Sequence, residues 1–549
     1  MESYISTISF ALAALTSLFL LHLKRSPLSA IPTVCPSGIF SSYLGALEYL
    51  HGAPKMIQRG YNQYKSGLFR VPYPDKWVVV LNSPALIDDL RRAHDDELSA
   101  EHGFAATLAV DYTLGAGFVT APYHVRVIQS SLTRNMGARF DDLRDEISAA
   151  FGDEVRVYGD DHVHIEWTAV PALQTVLRVV SRTSNRLFVG AQLCRDPDYR
   201  DLNIEFTEAV MQRAKLINLF PNLLKPIIGP LLSPLPHAMK RARRHLYPLI
   251  EERLSMEAEC GEPARDWDGR PLALLQNDLI SWLLEHAPPA ERTVHALAQR
   301  VLMVNFVAIH TTANSFTQAL YHLAASPEYV QPLRAELAAA VRDAGWSKEA
   351  LSRCVLLDSF LRESQRVNGV SAINMNRMVV APAGITLADG THLPRGSFVA
   401  AATYATHHDD DNYEQAETFD GFRFARMRTG GGEDAAHTPS DDAAHTPGDG
   451  AAQQPSSKYQ MAAPDAKFLA FGLGKHACPG RFFAVTEMKL MLAHVLSTYD
   501  VKLEQHKYDG PGGDVYGRPP SAWFGTVCGA NRTARVLFRK RAQAVGDLE

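Results

Sequence analysis

The interpretation of this 549-residue chain is decided by the stretch Phe471-Gly472-Leu473-Gly474-Lys475-His476-Ala477-Cys478-Pro479-Gly480. It presents one cysteine on a glycine-framed loop, and the apolar spacing from Arg481 to Leu496 predicts that a helix follows. A sulfur in this position lies near backbone N–H groups and a helix N-terminus, which together stabilise a thiolate. For a single cysteine, the alternative is a buried thiol that only packs.

The full pattern, Phe-x-x-Gly-x-x-x-Cys-x-Gly followed by Arg481-Phe482-Phe483-Ala484, resembles the cysteine-ligand signature of the cytochrome P450 superfamily. The resemblance implies a mainly α fold with a small β-sheet region and haem b as the cofactor. It also implies that Cys478 is the axial ligand of the haem iron. The other cofactor-binding residues that it implies, in the ligand loop and at the haem propionates, are Phe471, Gly472, Gly474, His476, Gly480 and Arg377, with His124 or Arg126 as weaker choices.

An acid and a base three residues apart occur in Glu363-Ser364-Gln365-Arg366, where they share one helical face. Such a pair is common in a charged chain and is usually solvated. The family places a second arginine in a later segment, and Arg423 in Phe419-Asp420-Gly421-Phe422-Arg423-Phe424 matches it. The resemblance therefore implies a buried structural triad of Glu363, Arg366 and Arg423 in which every charge is paired.

The segment from Ala296 to Leu320 is apolar on nearly every face, which predicts a central helix. Its polar cluster, His310-Thr311-Thr312-Ala313-Asn314-Ser315, matches the place where the family's long helix crosses the oxygen-binding side of haem. The resemblance implies that Thr311 helps to deliver protons, although a bond back to a helix carbonyl is the ordinary role of a threonine. The family usually has an acid before this threonine, whereas this chain has His310, which could relay protons or contact substrate.

The composition agrees with one large domain, expected over residues 37–541 with a tail at 542–549. A net charge of −5 without a basic stripe gives no footprint for nucleic acid, so no nucleic-acid partner is expected. Six cysteines are too few and too dispersed for a disulfide framework in a chain of this length, which suits a reducing compartment. Residues 427–464 are rich in Gly, Asp, Ala, His, Pro and Ser, and we predict a disordered low-complexity insertion there.

The apolar run from Tyr4 to Leu23 is about long enough to cross a bilayer, and Lys24-Arg25 follow it. It predicts a single-pass anchor over residues 1–25, joined by a proline-rich connector at 26–36. A cleaved signal peptide would carry positive charge before the apolar core, where this chain has Glu2. With the resemblance, the anchor implies an endoplasmic-reticulum membrane protein whose catalytic domain is cytosolic.

A second apolar stretch, from Leu219 to Leu235, contains prolines at 221, 226, 230 and 234 and is too broken to span a bilayer as a regular helix. It is either a membrane-dipping loop or a buried core loop. A basic helix is predicted to follow it, beginning at Lys240, Arg241, Arg243 and Arg244.

The resemblance implies a monooxygenase that takes electrons from NADPH-cytochrome P450 reductase. It would insert one atom of O2 into a hydrophobic substrate, by hydroxylation or epoxidation. The similarity is to fungal secondary-metabolite members, which points to a terpenoid or related polycyclic substrate. The alternatives are a haem-thiolate isomerase or dehydratase, and a non-catalytic haem-binding protein. The predicted pocket walls are Phe104, Phe306, His310 and residues 370–373, and the predicted reductase contacts are Lys475, Arg481 and Lys489.

Overall fold

The computed structural model describes residues 28–36, 41–73, 75–156, 166–220, 222–260, 277–429, 457–504 and 517–541. Helices dominate, as the resemblance implies. The α-helices are α1 (Ser41–Gln63), α2 (Pro84–Arg92), α3 (Ala100–Leu108), α4 (Val110–Thr113), α5 (Gly117–Thr120), α6 (Tyr123–Arg126), α7 (Thr133–Asn135), α8 (Phe140–Glu154), α9 (Ala172–Phe188), α10 (Ala191–Cys194), α11 (Pro197–Ile217), α12 (Lys225–Leu232), α13 (Leu235–Cys260), α14 (Leu279–His286), α15 (Val294–Ala325), α16 (Val330–Ala344), α17 (Lys348–Arg353), α18 (Val355–Val367), α19 (Thr403–His407), α20 (Arg423–Thr429) and α21 (Arg481–Thr498). Short 3₁₀ turns at Pro289–Glu291, Pro327–Tyr329, Ser457–Tyr459 and Gly474–His476, and a π-helical turn at Val127–Leu132, complete the helical elements.

The strands form small sheets beside the helices. They are β1 (Leu68–Pro72), β2 (Trp77–Leu81), β3 (Leu98–Ser99), β4 (Thr168–Pro171), β5 (Asn374–Val379), β6 (Ile385–Thr386), β7 (His392–Leu393), β8 (Phe398–Ala401), β9 (Tyr499–Leu503), β10 (Ala522–Phe524), β11 (Val527–Gly529) and β12 (Arg535–Lys540). The order β1-β2-β8-β5-β3 makes a five-stranded sheet, and β4-β12-β9 makes a three-stranded one. Strands β1 and β2 pair antiparallel, from Leu68 opposite Leu81 to Pro72 opposite Trp77.

Helix α15 is 32 residues long and lies at the centre of the domain. Thr293 caps its first turn, because its hydroxyl accepts a hydrogen bond from the Ala296 N–H at 3.2 Å. The helix packs against α9, α11, α13 and α18, so most of its surface is buried. A helix surrounded in this way must be apolar on most faces, which is why the apolar pattern from Ala296 to Leu320 predicted a central helix.

Both ends of the predicted insertion belong to the folded domain, which narrows the expected range of 427–464. Residues 427–429 complete helix α20, and the Arg428 side chain is ion-paired with Asp358. At the other end Met461 is 1% exposed, and its N–H donates to Asp358 at 2.9 Å. These buried contacts fix residues that composition alone assigned to the insertion. Residues 430–456 lie outside the described part of the chain.

In the part of the chain that the structure describes, no helix combines the length and the apolar character that a bilayer span requires. The predicted anchor at 1–25 falls outside the described residues. The second apolar stretch is described except at residue 221 and contains the short helix α12. Leu223 is 87% exposed and Leu231 is 78% exposed, so the expectation of a buried core loop is wrong for this segment.

Candidate active site

The cysteine loop is closed by its own backbone. The Cys478 N–H donates to the Phe471 carbonyl at 2.7 Å, which brings the ends of the motif together. Gly472 and Gly474 adopt φ values of 70° and 73°, a left-handed conformation that side chains disfavour. A Cβ on Gly474 would also lie 2.5 Å from the Arg91 side chain. The glycines are therefore required by the turn that presents Cys478.

The surroundings of Cys478 balance burial against hydrogen-bond donors. Burial raises the pKa of its thiol, whereas the backbone N–H groups of Gly480 and Arg481 and the Arg481 charge lower that pKa. Cys478 is partly exposed, whereas Cys35, Cys194, Cys354 and Cys528 are buried. An accessible sulfur that receives two backbone N–H groups is suited to bind a metal as a thiolate.

Helix α15 exposes one narrow stripe in its middle. Thr311 is exposed and Val307 and Ala308 are partly exposed, although Ile309, Thr312 and Ala313 beside them are buried. The Thr311 hydroxyl donates to the Val307 carbonyl at 2.8 Å, so its oxygen remains free to accept a hydrogen bond. The stripe therefore offers a ligand two apolar side chains and one hydroxyl oxygen.

His310 is turned toward helix α11. Its Nε2 lies 3.2 Å from the carbonyl oxygen of Ile204, and burial lowers its pKa. Because a carbonyl only accepts, Nε2 carries the proton and the neutral ring keeps Nδ1 as an acceptor. The structure thus places His310 next to Thr311 in sequence but directs its donor to a different element.

Arg377 is the described cation that fits a haem carboxylate. It is 4% exposed in strand β5 and donates to the Asn376 carbonyl at 3.0 Å, and within the described residues no carboxylate forms an ion pair with it. Burial lowers its pKa, so the guanidinium requires an anionic partner. His476 Nε2 lies 2.5 Å from Asp95 Oδ1, and Lys475 shares the same carboxylate at 3.2 Å, so the role of His476 at a propionate stays a prediction.

His124, the weaker choice for a propionate, belongs to a buried series of polar contacts that sequence reasoning missed. Arg300 of α15 approaches His124 Nδ1 at 3.1 Å and pairs with Glu291 at 2.9 Å. Burial, with the Arg300 charge, lowers the pKa of His124 to about 3. The ring is therefore neutral with its proton on Nε2. The sequence did contain one signal of these contacts, because Arg300 is a charged residue within an otherwise apolar helix. Arg126 is exposed.

The predicted triad comes together in the core. Arg366 binds both oxygens of Glu363 at 2.7 Å, and Arg423 Nε reaches the same carboxylate at 3.1 Å. Glu363 is 0% exposed and Arg366 is 1% exposed. Arg366 also donates to the carbonyls of His407 and Ala416 at 2.5 and 2.7 Å. The cluster holds helix α18 to the segment that precedes the cysteine loop.

These features coincide with a known family. The family model described as Cytochrome P450 matches residues 39–511. The chain belongs to the cytochrome P450 family. It is 37% identical to cytochrome P450 monooxygenase 151 of Postia placenta, over 97% of this chain and 98% of that protein. It is 31% identical to an ent-kaurene oxidase of Gibberella intermedia, over 95% and 91%. A crystal structure of the cytochrome P450DA heme domain superposes with a TM-score of 0.63 at 16% identity, covering 93% of this chain and 98% of that one.

The protein is therefore a cytochrome P450 monooxygenase with haem b as its cofactor, and the P450 fold is confirmed. These relatives are named as monooxygenases or oxidases, which favours that activity over an isomerase or an inactive haem-binding protein. The donor set fits the cofactor. Cys478 would supply a thiolate to the iron, and Arg377 would supply a buried positive charge to a propionate.

One predicted reductase contact of this P450 is wrong. Lys489 is 8% exposed, and its Nζ lies 2.6 Å from Asp358 Oδ1 inside the domain. Arg428 pairs with the other oxygen of the same carboxylate. Arg481 is partly buried and donates to the Ala462 carbonyl at 3.2 Å and the Cys478 carbonyl at 3.1 Å. Lys475 keeps an exposed side chain, although Asp95 partly neutralises it.

The predicted pocket walls differ in accessibility. Phe104 is partly buried and stacks on Phe118 with ring centroids 4.9 Å apart. Phe306 is 6% exposed and belongs to the hydrophobic core. In the segment 370–373 the first two residues are partly exposed and the last two are buried. The Val370 carbonyl accepts the Cys528 N–H at 2.9 Å, which adds the β10–β11 hairpin to this wall.

Proposed function

We propose that this P450 is anchored in the endoplasmic-reticulum membrane with its catalytic domain in the cytosol. We further propose that it oxidises a terpenoid or related polycyclic compound, with electrons from NADPH-cytochrome P450 reductase. The substrate proposal is supported by two ent-kaurene oxidases of Gibberella, at 31% and 30% identity. Hydroxylation and epoxidation both fit a haem monooxygenase.

The observation that carries the substrate proposal is the exposed stripe of helix α15. Val307 and Ala308 present apolar surface, and Phe104 and Phe118 add aromatic rings to the same hydrophobic cluster. The Thr311 hydroxyl adds a polar atom to this stripe. Haem, when bound, supplies the activation of O2, while these residues hold a hydrophobic substrate and exclude water. Bulky apolar substrates suit such a surface because burial of their carbon skeleton drives binding.

Membrane association is supported by exposed apolar side chains on and near helix α12. Leu223, Ile227 and Leu231 are 87%, 64% and 78% exposed. Isolated exposed leucines are ordinary, but neighbouring ones in one short segment are typical of an interaction surface. Helix α13 begins nearby with exposed Lys240, which would favour anionic headgroups. A hydrophobic substrate dissolved in lipid would then be close to the domain.

Reductase docking is proposed for the surface beside the cysteine loop. Phe482 is 41% exposed at the start of α21, and the Arg481 guanidinium lies 4.4 Å above its ring. Lys475, in the cysteine loop that precedes α21, is also exposed. Aromatic residues and arginine are enriched at protein interfaces. Phe482→Ala should lower turnover supported by reductase and leave turnover supported by peroxide unchanged, and an equal loss in both assays would contradict this docking site.

The function is tested with the full-length protein in fungal microsomes that contain the reductase. A carbon monoxide difference spectrum of the reduced protein establishes thiolate-ligated haem. Terpenoid ligands, beginning with ent-kaurene, are then screened for a change in the spin state of the iron. We expect a hit to be oxidised with consumption of NADPH. Turnover of non-terpenoid ligands alone would contradict the substrate class, and product formation without NADPH would contradict the reaction.

A further inference from the structure

Two side chains near Thr311, those of His310 and Asn314, connect helix α15 to helix α11 and to the β10–β11 hairpin. His310 Nε2 donates to the Ile204 carbonyl of helix α11 at 3.2 Å. A helix carbonyl has two lone pairs, so that of Ile204 can accept from His310 in addition to its own helical partner. This hydrogen bond links the two helices next to the exposed Thr311.

One turn further along α15, Asn314 uses both ends of its amide. Its Nδ2 donates to the Cys528 carbonyl at 3.2 Å, and its Oδ1 accepts the Ala530 N–H at 2.6 Å. Cys528 belongs to strand β11, whose hairpin continues the wall formed by residues 370 and 371. Asn314 therefore fixes the β10–β11 hairpin against the helix.

A third contact joins helix α11 to the segment after β11, so that the three contacts form a closed ring of links. Glu208, one turn after Ile204 on α11, pairs with Arg532 at 3.3 Å, and Arg532 follows the hairpin that Asn314 holds. The ring runs from α15 through His310 to α11, through Glu208 to the segment after β11, and through Asn314 back to α15. The Glu208–Arg532 pair is exposed and contributes little on its own.

The same contacts make His310 a poor proton relay. Its N–H points to Ile204, the Thr311 O–H points to Val307, and no hydrogen bond among the described residues joins His310 to Thr311. Burial lowers the pKa of His310, while Glu208 raises it and Arg532 lowers it. The imidazole of His310 is neutral near pH 7, and its single N–H proton is used in the hydrogen bond to the Ile204 carbonyl of α11.

We propose that His310 is a positioning residue that, together with Asn314, fastens helix α11 and the β10–β11 hairpin around Thr311. The ligand site that these elements border, here called the cavity, then keeps one shape for a bulky apolar ligand. This role differs from the two that the sequence suggested for His310, which are proton relay and contact with substrate. The inference rests on the proposed function only in its assumption that the ligand is bulky. The hydrogen bonds of His310 and Asn314 do not depend on which substrate is oxidised.

The test compares haem-loaded full-length variants by hydrogen exchange and by azole binding. His310→Gln keeps an N–H donor and cannot titrate, whereas His310→Leu keeps volume without a donor. His295→Gln makes the same change at an exposed site on the same helix and is the matched control. Imidazole probes the iron alone, and clotrimazole probes the iron together with the shape of the cavity.

We expect His310→Leu to speed amide exchange over residues 197–217 by about fivefold and to weaken clotrimazole binding by about fivefold, the effect of one lost hydrogen bond. Imidazole binding should not change. His310→Gln and His295→Gln should stay within about twofold of wild type in all three measurements. Asn314→Leu cuts the opposite link and should speed exchange over 522–535, which keeps the test available if His310→Leu loses haem.

Two results would overturn the proposal. In the first, exchange and clotrimazole binding of His310→Leu match wild type, so that His310 holds nothing in place. In the second, both His310 variants keep wild-type exchange but shift the pH dependence of NADPH oxidation and peroxide release, which would assign proton delivery to His310. Neither readout requires terpenoid turnover, so a failed substrate proposal remains distinguishable from a failed inference.

Discussion

Glu487 provides a stability test whose magnitude follows from its surroundings. It is 0% exposed in helix α21, and the Ser184 hydroxyl donates to its two oxygens at 3.0 and 3.3 Å. Burial raises the pKa of Glu487 from 4.5 to about 8, although the Ser184 hydrogen bond lowers it. The folded protein therefore binds this proton more tightly than the unfolded chain does.

The sign of the pH dependence follows from that difference. The stabilisation is complete below the unfolded pKa of 4.5 and is lost as the pH rises toward the folded pKa of about 8. Each pH unit in this window removes about 1.4 kcal/mol, so wild type loses about 4 kcal/mol between pH 5 and pH 8 through this residue. Glu487→Gln does not titrate and keeps an oxygen for Ser184, so it should escape this loss.

The assay is thermal unfolding of the haem-loaded protein, followed by the Soret band at one scan rate. The unfolding entropy of a chain of this size is about 1 kcal/mol/K, so 4 kcal/mol corresponds to about 4 °C. We expect the Tm of Glu487→Gln minus that of wild type to grow by about this amount from pH 5 to pH 8. The exposed Glu251→Gln is the control. A difference that stays constant across the pH range would refute a neutral buried Glu487.

Three further predictions concern buried charges. Glu363→Gln leaves the Arg366 guanidinium buried without its anion and should cost about 3–5 kcal/mol, measured as lost haem incorporation and a lower Tm; normal incorporation would contradict the triad. Lys489→Met should lower Tm because Asp358 loses a buried partner, yet the KM for reductase should not change in the same preparation; a raised KM with normal Tm would restore Lys489 as a docking residue. Arg377→Leu should weaken haem retention in a competition assay with apomyoglobin, and unchanged retention would exclude Arg377 from propionate binding.

Sequence reasoning predicted the features that short-range patterns encode. The cysteine loop requires two glycines at positive φ, and Gly472 and Gly474 supply them. Helix α15 could be predicted to be central because its sequence has no polar face. The triad could be anticipated because Glu363 and Arg366 are one helical turn apart and a family motif supplied Arg423.

The failures involve contacts between distant residues. The partner of Lys489 is Asp358, which lies on helix α18, far away in the chain. Helix α21 is largely apolar around its circumference, so its sequence does not show which face meets solvent. Composition likewise assigned Arg428 to an insertion, because nothing local reveals that Asp358 binds it.

The central claim is that the Cys478 sulfur binds the haem iron, and the carbon monoxide difference spectrum of the reduced protein tests it most directly. Wild type should show the red-shifted Soret band of thiolate-ligated haem. Cys478→Ser should lose that band together with NADPH-dependent turnover, while Cys354→Ser, at a buried cysteine remote from the loop in sequence, should retain both. An unchanged band in Cys478→Ser would contradict the assignment of the ligand and of the site built around it.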